Sequence, residues 1–259
     1  MEKVLVITGG SRGIGAETAR LAASRGYAVA VNYYERADAA QELVDEIESS
    51  NGRAIAVQAD VAKPADIERL FDTVDCELGP LTAFVNSAGH GGGYVPAKEF
   101  DPDLLDRLMR ITVIGAMVSA REAVRRMAIS EGGQGGAIVN VSSMASTIGG
   151  RQLRTDYAAS KAAVDCFTVG LAKEVGRDGI RVNAVRPAVT LTDMVDRLRK
   201  DPKARDAVAN SIPINRLAEP IEVARPIVWL LSDEASYVNG SLFDISGGGF
   251  LVAEANNPG

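Results

Sequence analysis

Short runs rich in Val, Ile and Ala recur along this chain at intervals that only one kind of sheet accommodates. They lie at Val4–Thr8, Ala28–Tyr33, Ala54–Gln58, Ala83–Asn86, Ala137–Ser142, Arg181–Arg186 and Leu242–Ile245. Most are apolar on both faces, as strands are when helices cover both sides of their sheet. Between them the apolar residues switch to helical spacing. Ala16–Arg25 turns Ala19, Leu21 and Ala22 to one side, Ala37–Ser50 turns Leu43, Val44 and Ile47, and Asp66–Leu78 turns Ile67, Leu70, Phe71 and Val74. Further helices are predicted at Pro102–Met127, Tyr157–Gly176, Ala204–Ser211 and Ile221–Ser232. Strand–helix alternation implies right-handed crossovers, so the expected class is α/β with a doubly wound parallel sheet of about seven strands. No linker, repeat or charge block divides residues 1–249, which are read as one domain, and 250–259 are read as a tail.

Glycine supplies the next constraint. Of 26 glycines, clusters at 9–15, 89–93, 132–136, 149–150 and 247–249 hold four, four, four, two and three. Most of these clusters follow a predicted strand, and ligands of open parallel sheets bind at the carboxyl ends of strands. The exception, Gly132–Gly136, precedes a strand and reads as a surface turn.

Composition removes several classes of function. His90 is the only histidine and Cys76 and Cys166 the only cysteines, so a multi-histidine metal site and a zinc finger are excluded and no metal is expected. Net charge is 28 − 34 = −6, the wrong sign for a chain that binds nucleic acid or an anionic membrane over its surface. The start of the chain lacks the pattern of a secretion signal, and no apolar stretch approaches the ~18 residues of a membrane span. Two cysteines 90 residues apart make no disulfide framework. The expectation is a soluble, cytoplasmic protein.

The first strand, Val4–Thr8, runs into Gly9-Gly-Ser-Arg-Gly13-Ile-Gly15 and then a helix. Strand, glycine loop and helix are what a dinucleotide site requires: a tight turn at Gly9, close backbone approach to pyrophosphate at Gly13, and close packing of the helix at Gly15. The helix start presents unpaired N–H groups to the anion. Thr8-Gly9-x3-Gly13-x-Gly15 resembles the cofactor loop of the short-chain dehydrogenase/reductase family, and the resemblance runs along nearly the whole chain. Asp60-Val61, Asn86-Ser-Ala-Gly89, Ser142-Ser143, Tyr157-Ala-Ala-Ser-Lys161, Arg186-Pro187 with Thr192, Tyr237-Val-Asn-Gly240 and Gly247–Gly249 match its further motifs in order. The resemblance implies a single-domain Rossmann fold and a homotetramer. It places cofactor contacts at Gly9, Ser11, Arg12, Gly13, Ile14, Gly15, Asn32, Tyr33, Asp60, Val61, Asn86, Ala88, Gly89, Tyr157, Lys161, Pro187, Val189 and Thr192. Among family members, the chain is similar to glucose 1-dehydrogenases and to 3-oxoacyl-acyl-carrier-protein reductases.

An NAD site commonly carries Asp or Glu after the second strand. Here that strand ends in Asn32-Tyr33-Tyr34, and Arg12 and Arg36 stand nearby in sequence. NADP(H) is therefore expected in preference to NAD(H).

For the chemistry, Tyr157 and Lys161 are four apart on a predicted helix and share a face. An adjacent ammonium lowers a phenol's pKa, which suits Tyr157 to pass a proton to a ketone or take one from an alcohol. The resemblance assigns Ser143, rather than Ser142, to the hydrogen bond on the same oxygen, and gives Lys161 the ribose hydroxyls. Ser143 and Tyr157 are 14 apart, one more than in many relatives, which implies an insertion in Met144–Asp156. The family usually carries Asn where Thr112 stands in Ile111-Thr112-Val113-Ile114-Gly115, so Thr112 is expected to take part of that role. Ser87 and Ala188 are smaller departures.

The remaining residues read plainly. Cys166 is expected to be a buried small hydrophobe and Trp229 to pack in the core or between subunits. His90 should line the cleft or the surface. Asp196–Asp201 is a charged run within a segment, 190–212, that the resemblance makes a substrate lid. Arg151 and Arg154 are the basic candidates for contact with an acidic acyl carrier. The expected partner is a small carbonyl or alcohol, with a sugar first and an oxoacyl carrier second. A nucleotide-sensing protein without turnover is the rival from another class, and a serine hydrolase using His90 is disfavoured because no Gly-x-Ser-x-Gly elbow occurs.

Overall fold

A computed structural model describes residues 3–249, so the expected 250–259 tail lies outside the described residues. Seven strands form one sheet: β1 (Lys3–Thr8), β2 (Tyr27–Tyr33), β3 (Arg53–Gln58), β4 (Leu81–Asn86), β5 (Gly136–Val141), β6 (Ile180–Pro187) and β7 (Leu242–Ile245). Their spatial order is β3-β2-β1-β4-β5-β6-β7, and every pairing is parallel. The chain thus winds outward from β1 in one direction and then returns to wind out in the other, as a Rossmann fold does.

The helices are α1 (Gly13–Ala23), α2 (Ala37–Ser49), α3 (Pro64–Glu77), α4 (Pro102–Met109), α5 (Gly115–Met127), α6 (Ala145–Ile148), α7 (Thr155–Val175), α8 (Asp196–Lys200), α9 (Pro202–Ala209) and α10 (Pro220–Leu231). They cover both faces of the sheet, which explains the unbroken apolar strands. One apolar layer joins α1, α2 and α10 to the sheet through Leu43, Ile47, Val29, Val139 and Ile227. The opposite layer joins α3, α5 and α7 through Leu70, Phe71, Phe84, Met127, Ile138 and Val175. Phe71 and Phe84 meet edge to face, 5.7 Å between ring centres, a geometry that contributes beyond burial.

Three expectations need correction. The helix expected over Pro102–Met127 is two helices joined by a π-helical turn at Arg110–Ile114. Gly115, at the end of that turn, sits so close to β3's exit that a Cβ would approach the Val61 carbonyl oxygen to 2.6 Å. The predicted Ala204–Ser211 helix is Pro202–Ala209, started by the Asp201 side chain, which accepts from the Ala204 N–H. Cys166 is exposed rather than buried. Its helix α7 buries Lys161, Asp165 and Thr168, and the side bearing Ala159, Ala162 and Cys166 is exposed. Trp229 is partly exposed and packs edge to face on Phe243. Gly132–Gly136 forms the expected turn before β5, with Gly132 and Gly135 in the left-handed region.

Candidate active site

Every strand of the parallel sheet ends on one edge, and the loops leaving that edge enclose a cleft of about 750 Å³. The β1–α1 loop forms its floor. Gly9 and Gly13 have φ of 63° and 55°, values that a side chain disfavours. A Cβ at Gly9 would stand 2.8 Å from the Ala88 Cα, and one at Gly13 2.9 Å from the Thr192 methyl. At Gly15 a Cβ would collide with the Gly9 carbonyl oxygen, so this glycine lets helix α1 start tight under the loop.

Polar side chains tie the loops together. The Gly9 N–H donates to Asn32 Oδ1 at 3.1 Å, and Asn32 Nδ2 donates to the Ala59 carbonyl at 3.1 Å. Thr8 donates to Asn86 Oδ1 at 3.1 Å and accepts from the Ala88 N–H at 3.4 Å. Asp60 Oδ1 accepts from the Ala62 N–H at 3.0 Å. These bonds set the loop backbones, and glycine lets the loop pack against Ala88, Thr192 and the start of its own helix. The residues present fit a dinucleotide.

Of the residues expected at the site, all but Gly15, Asn86 and Thr112 line the cleft. Gly15 lies beneath the loop, and Asn86 is buried on Thr8. Thr112 is buried in the π turn, where its hydroxyl accepts from the His90 N–H at 3.5 Å. His90 lines the cleft, with Nδ1 accepting from the Gly92 N–H at 3.1 Å. The loop after Ser143 contains α6 and two left-handed glycines, Gly149 and Gly150. It brings Ile148, Arg151 and Arg154 to the cleft wall. Tyr94, Arg107 and Met194 also line it. Met194 belongs to the expected lid segment, whereas the sequence around Tyr94 and Arg107 matches no motif.

The side chains expected to do chemistry converge. Ser143 leads from the end of β5, and its Oγ accepts from the Ala145 N–H at 3.1 Å. Ser142 is buried, and its hydroxyl donates to the Lys161 carbonyl at 3.2 Å, which separates a structural serine from a cleft-facing one. Lys161 Nζ is buried and donates to the Val141 carbonyl at 2.8 Å. Burial pulls the Lys161 pKa down to about 8, against the attraction of Asp165.

The expected electrostatics of Tyr157 are corrected here. Burial raises its pKa, while a hydrogen bond with Ser143 and the charge of Arg154 pull the other way. Lys161 Nζ is 5.9 Å from the Tyr157 ring centre, whereas the Arg154 guanidinium carbon is 4.7 Å from it. The cation closest to the ring therefore comes from the loop, and the phenol is held in its protonated form at neutral pH.

The comparisons agree with this geometry. A family model described as enoyl-(acyl carrier protein) reductase matches residues 9–249. The chain is 45% identical over 245 residues to the uncharacterized oxidoreductase YgfF of Escherichia coli (strain K12), covering 95% of this chain and 99% of that one. It is 36% identical over 246 residues to 3beta-hydroxysteroid dehydrogenase 1 of Eggerthella lenta, covering 95% and 93%. The crystal structure of a dehydrogenase/reductase from Sinorhizobium meliloti 1021 superposes with a TM-score of 0.88 at 35% identity, covering 95% and 94%. The chain belongs to the short-chain dehydrogenase/reductase family, oxidoreductases that act on alcohol and carbonyl groups with a nicotinamide cofactor. Among the described residues, no helix is long and apolar enough to cross a membrane.

The Lys161 environment gives a pH signature. Its folded value, about 8, lies below the ordinary 10.5. Between the two, the unfolded chain holds the additional proton, so this residue's contribution to stability becomes more favourable as pH rises through that window. In Lys161→Met that gain is lost. Urea unfolding of both proteins on either side of the window should show wild type gaining on the variant at the higher pH, and parallel profiles would refute it.

Proposed function

We propose that this protein is an NADP(H)-dependent reductase that converts a carbonyl to a secondary alcohol in the cytoplasm, with Ser143, Tyr157 and Lys161 as its catalytic residues. The observation that carries the reading is the convergence of Ser143, Tyr157 and Lys161 in one cleft with the glycine loop that starts helix α1. Tyr157 gives its proton to the substrate oxygen, and Ser143 donates a hydrogen bond to the same atom. A phenol that stays protonated is the form that reduction needs. Lys161 holds the ribose hydroxyls and returns a proton toward Tyr157. When bound, the nicotinamide supplies the hydride, or accepts it in the reverse direction. Thr112, fixed beneath His90, is a positioning residue for the cleft wall. The segment 190–212 serves as the substrate lid.

The substrate wall favours a body with apolar surface over a sugar, because Ile148, Tyr94 and Met194 form much of it. Tyr157→Phe removes the proton donor and should lower kcat by about 10²-fold or more, with NADPH fluorescence still reporting binding. Ser143→Ala should be strongly impaired and Ser142→Ala much less so. NADPH binding without oxidation across ketones, oxo-acids and sugars would favour the nucleotide-sensing alternative.

NADP(H) preference rests on charge. No carboxylate follows β2 before Glu35, while Arg12 and Arg36 line the cleft. Arg12 pairs with Asp193 at 3.1 Å with both side chains half exposed, and such a pair is worth only ~0–1 kcal/mol. A 2′-phosphate can replace that partner at little cost. Arg12→Ala should raise KM for NADPH by about tenfold and leave KM for NADH nearly unchanged. Equal wild-type efficiency with the two cofactors would sink the assignment.

A homotetramer is supported by the exposed small side of α7, where Ala159 and Ala162 permit another helix to approach. Light scattering should return the tetramer mass, and a monomer at working concentration would exclude it.

A further inference from the structure

The substrate end of the cleft carries two arginines, and of these Arg154 forms no ion pair among the described residues. Its wall holds Arg151 and Arg154. The acidic residues that line the cleft are Glu35, Asp60 and Asp193. Glu35 and Asp60 follow β2 and β3 on the nucleotide side, and Asp193 is engaged by Arg12 and Arg199.

Arg154 is built for a ligand. Its guanidinium carbon lies 4.6 Å from the Tyr94 ring centre and 4.7 Å from that of Tyr157. Both rings thus contact the guanidinium in the cleft wall. Among the described residues no carboxylate forms an ion pair with Arg154. Asp156, two residues along, is turned to the Gly93 N–H, which donates to its Oδ2 at 3.3 Å. A guanidinium held over aromatic rings and outside any ion pair retains N–H groups for bidentate binding of a planar anion. The guanidinium lies next to the ring whose hydroxyl meets the reacting oxygen. Ile148 and Met194, both exposed in the cleft wall, offer apolar surface to the rest of a small molecule.

We propose that Arg154, which lies over the rings of Tyr94 and Tyr157, binds a carboxylate on the carbonyl substrate, so that the protein is specific for oxo-acids. The inference rests on the reductase reading above and deepens it. Binding places the negative charge beside the phenol and turns the carbonyl toward Tyr157 and Ser143. The chemistry is the ordinary one: the carbonyl carbon takes the hydride, its oxygen takes the Tyr157 proton, and the carboxylate is unchanged. A neutral ester of the same acid loses the charged pair, which is worth about tenfold or more in kcat/KM.

The test is NADPH oxidation by the full chain with linear oxo-acids of graded length, each assayed beside its methyl ester and its N-acetylcysteamine thioester. Wild type should favour at least one acid over its ester by about tenfold. Arg154→Gln should collapse that ratio to near one. Arg154→Lys, which keeps the charge without the planar fork, should restore part of it. The ratio is taken within each variant, so a change in Tyr157 reactivity common to both substrates cancels. Retained NADPH binding shows that the variants are folded. An unchanged ratio in Arg154→Gln overturns the proposal, as does wild-type preference for the esters. Preference for the thioesters also overturns it and points to an acyl carrier instead. Esters reduced without acid preference overturn the proposal and leave the reductase reading standing, and no reduction of any member overturns the proposal while the ketone and sugar panel decides the reductase reading.

Discussion

The whole site stands on the crowding of two loops. The turn after β1 presses against the turn after β4 so closely that Gly9 has no room for a Cβ beside the Ala88 backbone. This contact exists because β1 and β4 are neighbours in the sheet while their helices leave on opposite faces. Thr8 and Asn86, at matched positions in the two strands, bond to each other across the gap. Asn32 ties the same turn to the exits of β2 and β3. Polar side chains usually cost stability in a core. Here they replace the backbone partners that the strands lose when the sheet ends.

The fold was legible because its two signals are redundant. Runs such as Val4–Thr8 and Ala28–Tyr33 are apolar without alternation, and the helices between them are amphipathic. The glycine loop was legible because glycine is the only residue that fits there. The π turn at Arg110–Ile114 was not, because one additional residue shifts a helix face without breaking its apolar pattern. The exposure of Cys166 was hidden for a related reason. Helix α7 buries Lys161, Asp165 and Thr168 while exposing Ala159 and Ala162, so its pattern does not state which side meets its own sheet.

The chemistry was legible as a set of residues and less so as electrostatics. Tyr157 and Lys161 share a helix face, as four-residue spacing dictates. That spacing suggested Lys161 as the cation acting on the phenol. The fold instead commits the ammonium to the Val141 carbonyl and brings Arg154 to the ring from a loop whose path depends on Gly149 and Gly150. A charge three residues ahead of a tyrosine carries no such message in the sequence. Ser142 and Ser143 show the opposite case, where one step along a strand end is enough to send one hydroxyl under a helix and the other into the cleft.

The central pairing has a consequence for how the chain is made. β1 meets β2 after one helix, but its other neighbour, β4, begins at Leu81. Until that residue is synthesised, β1 is an edge strand whose apolar backbone is open on one side. Its residues Val4, Leu5, Val6 and Ile7 are of the type that pairs readily with another chain. The join at β1–β4 also closes a long loop before any contact rewards it. β1 therefore stays open on one side until the strand that completes the cofactor floor has been made.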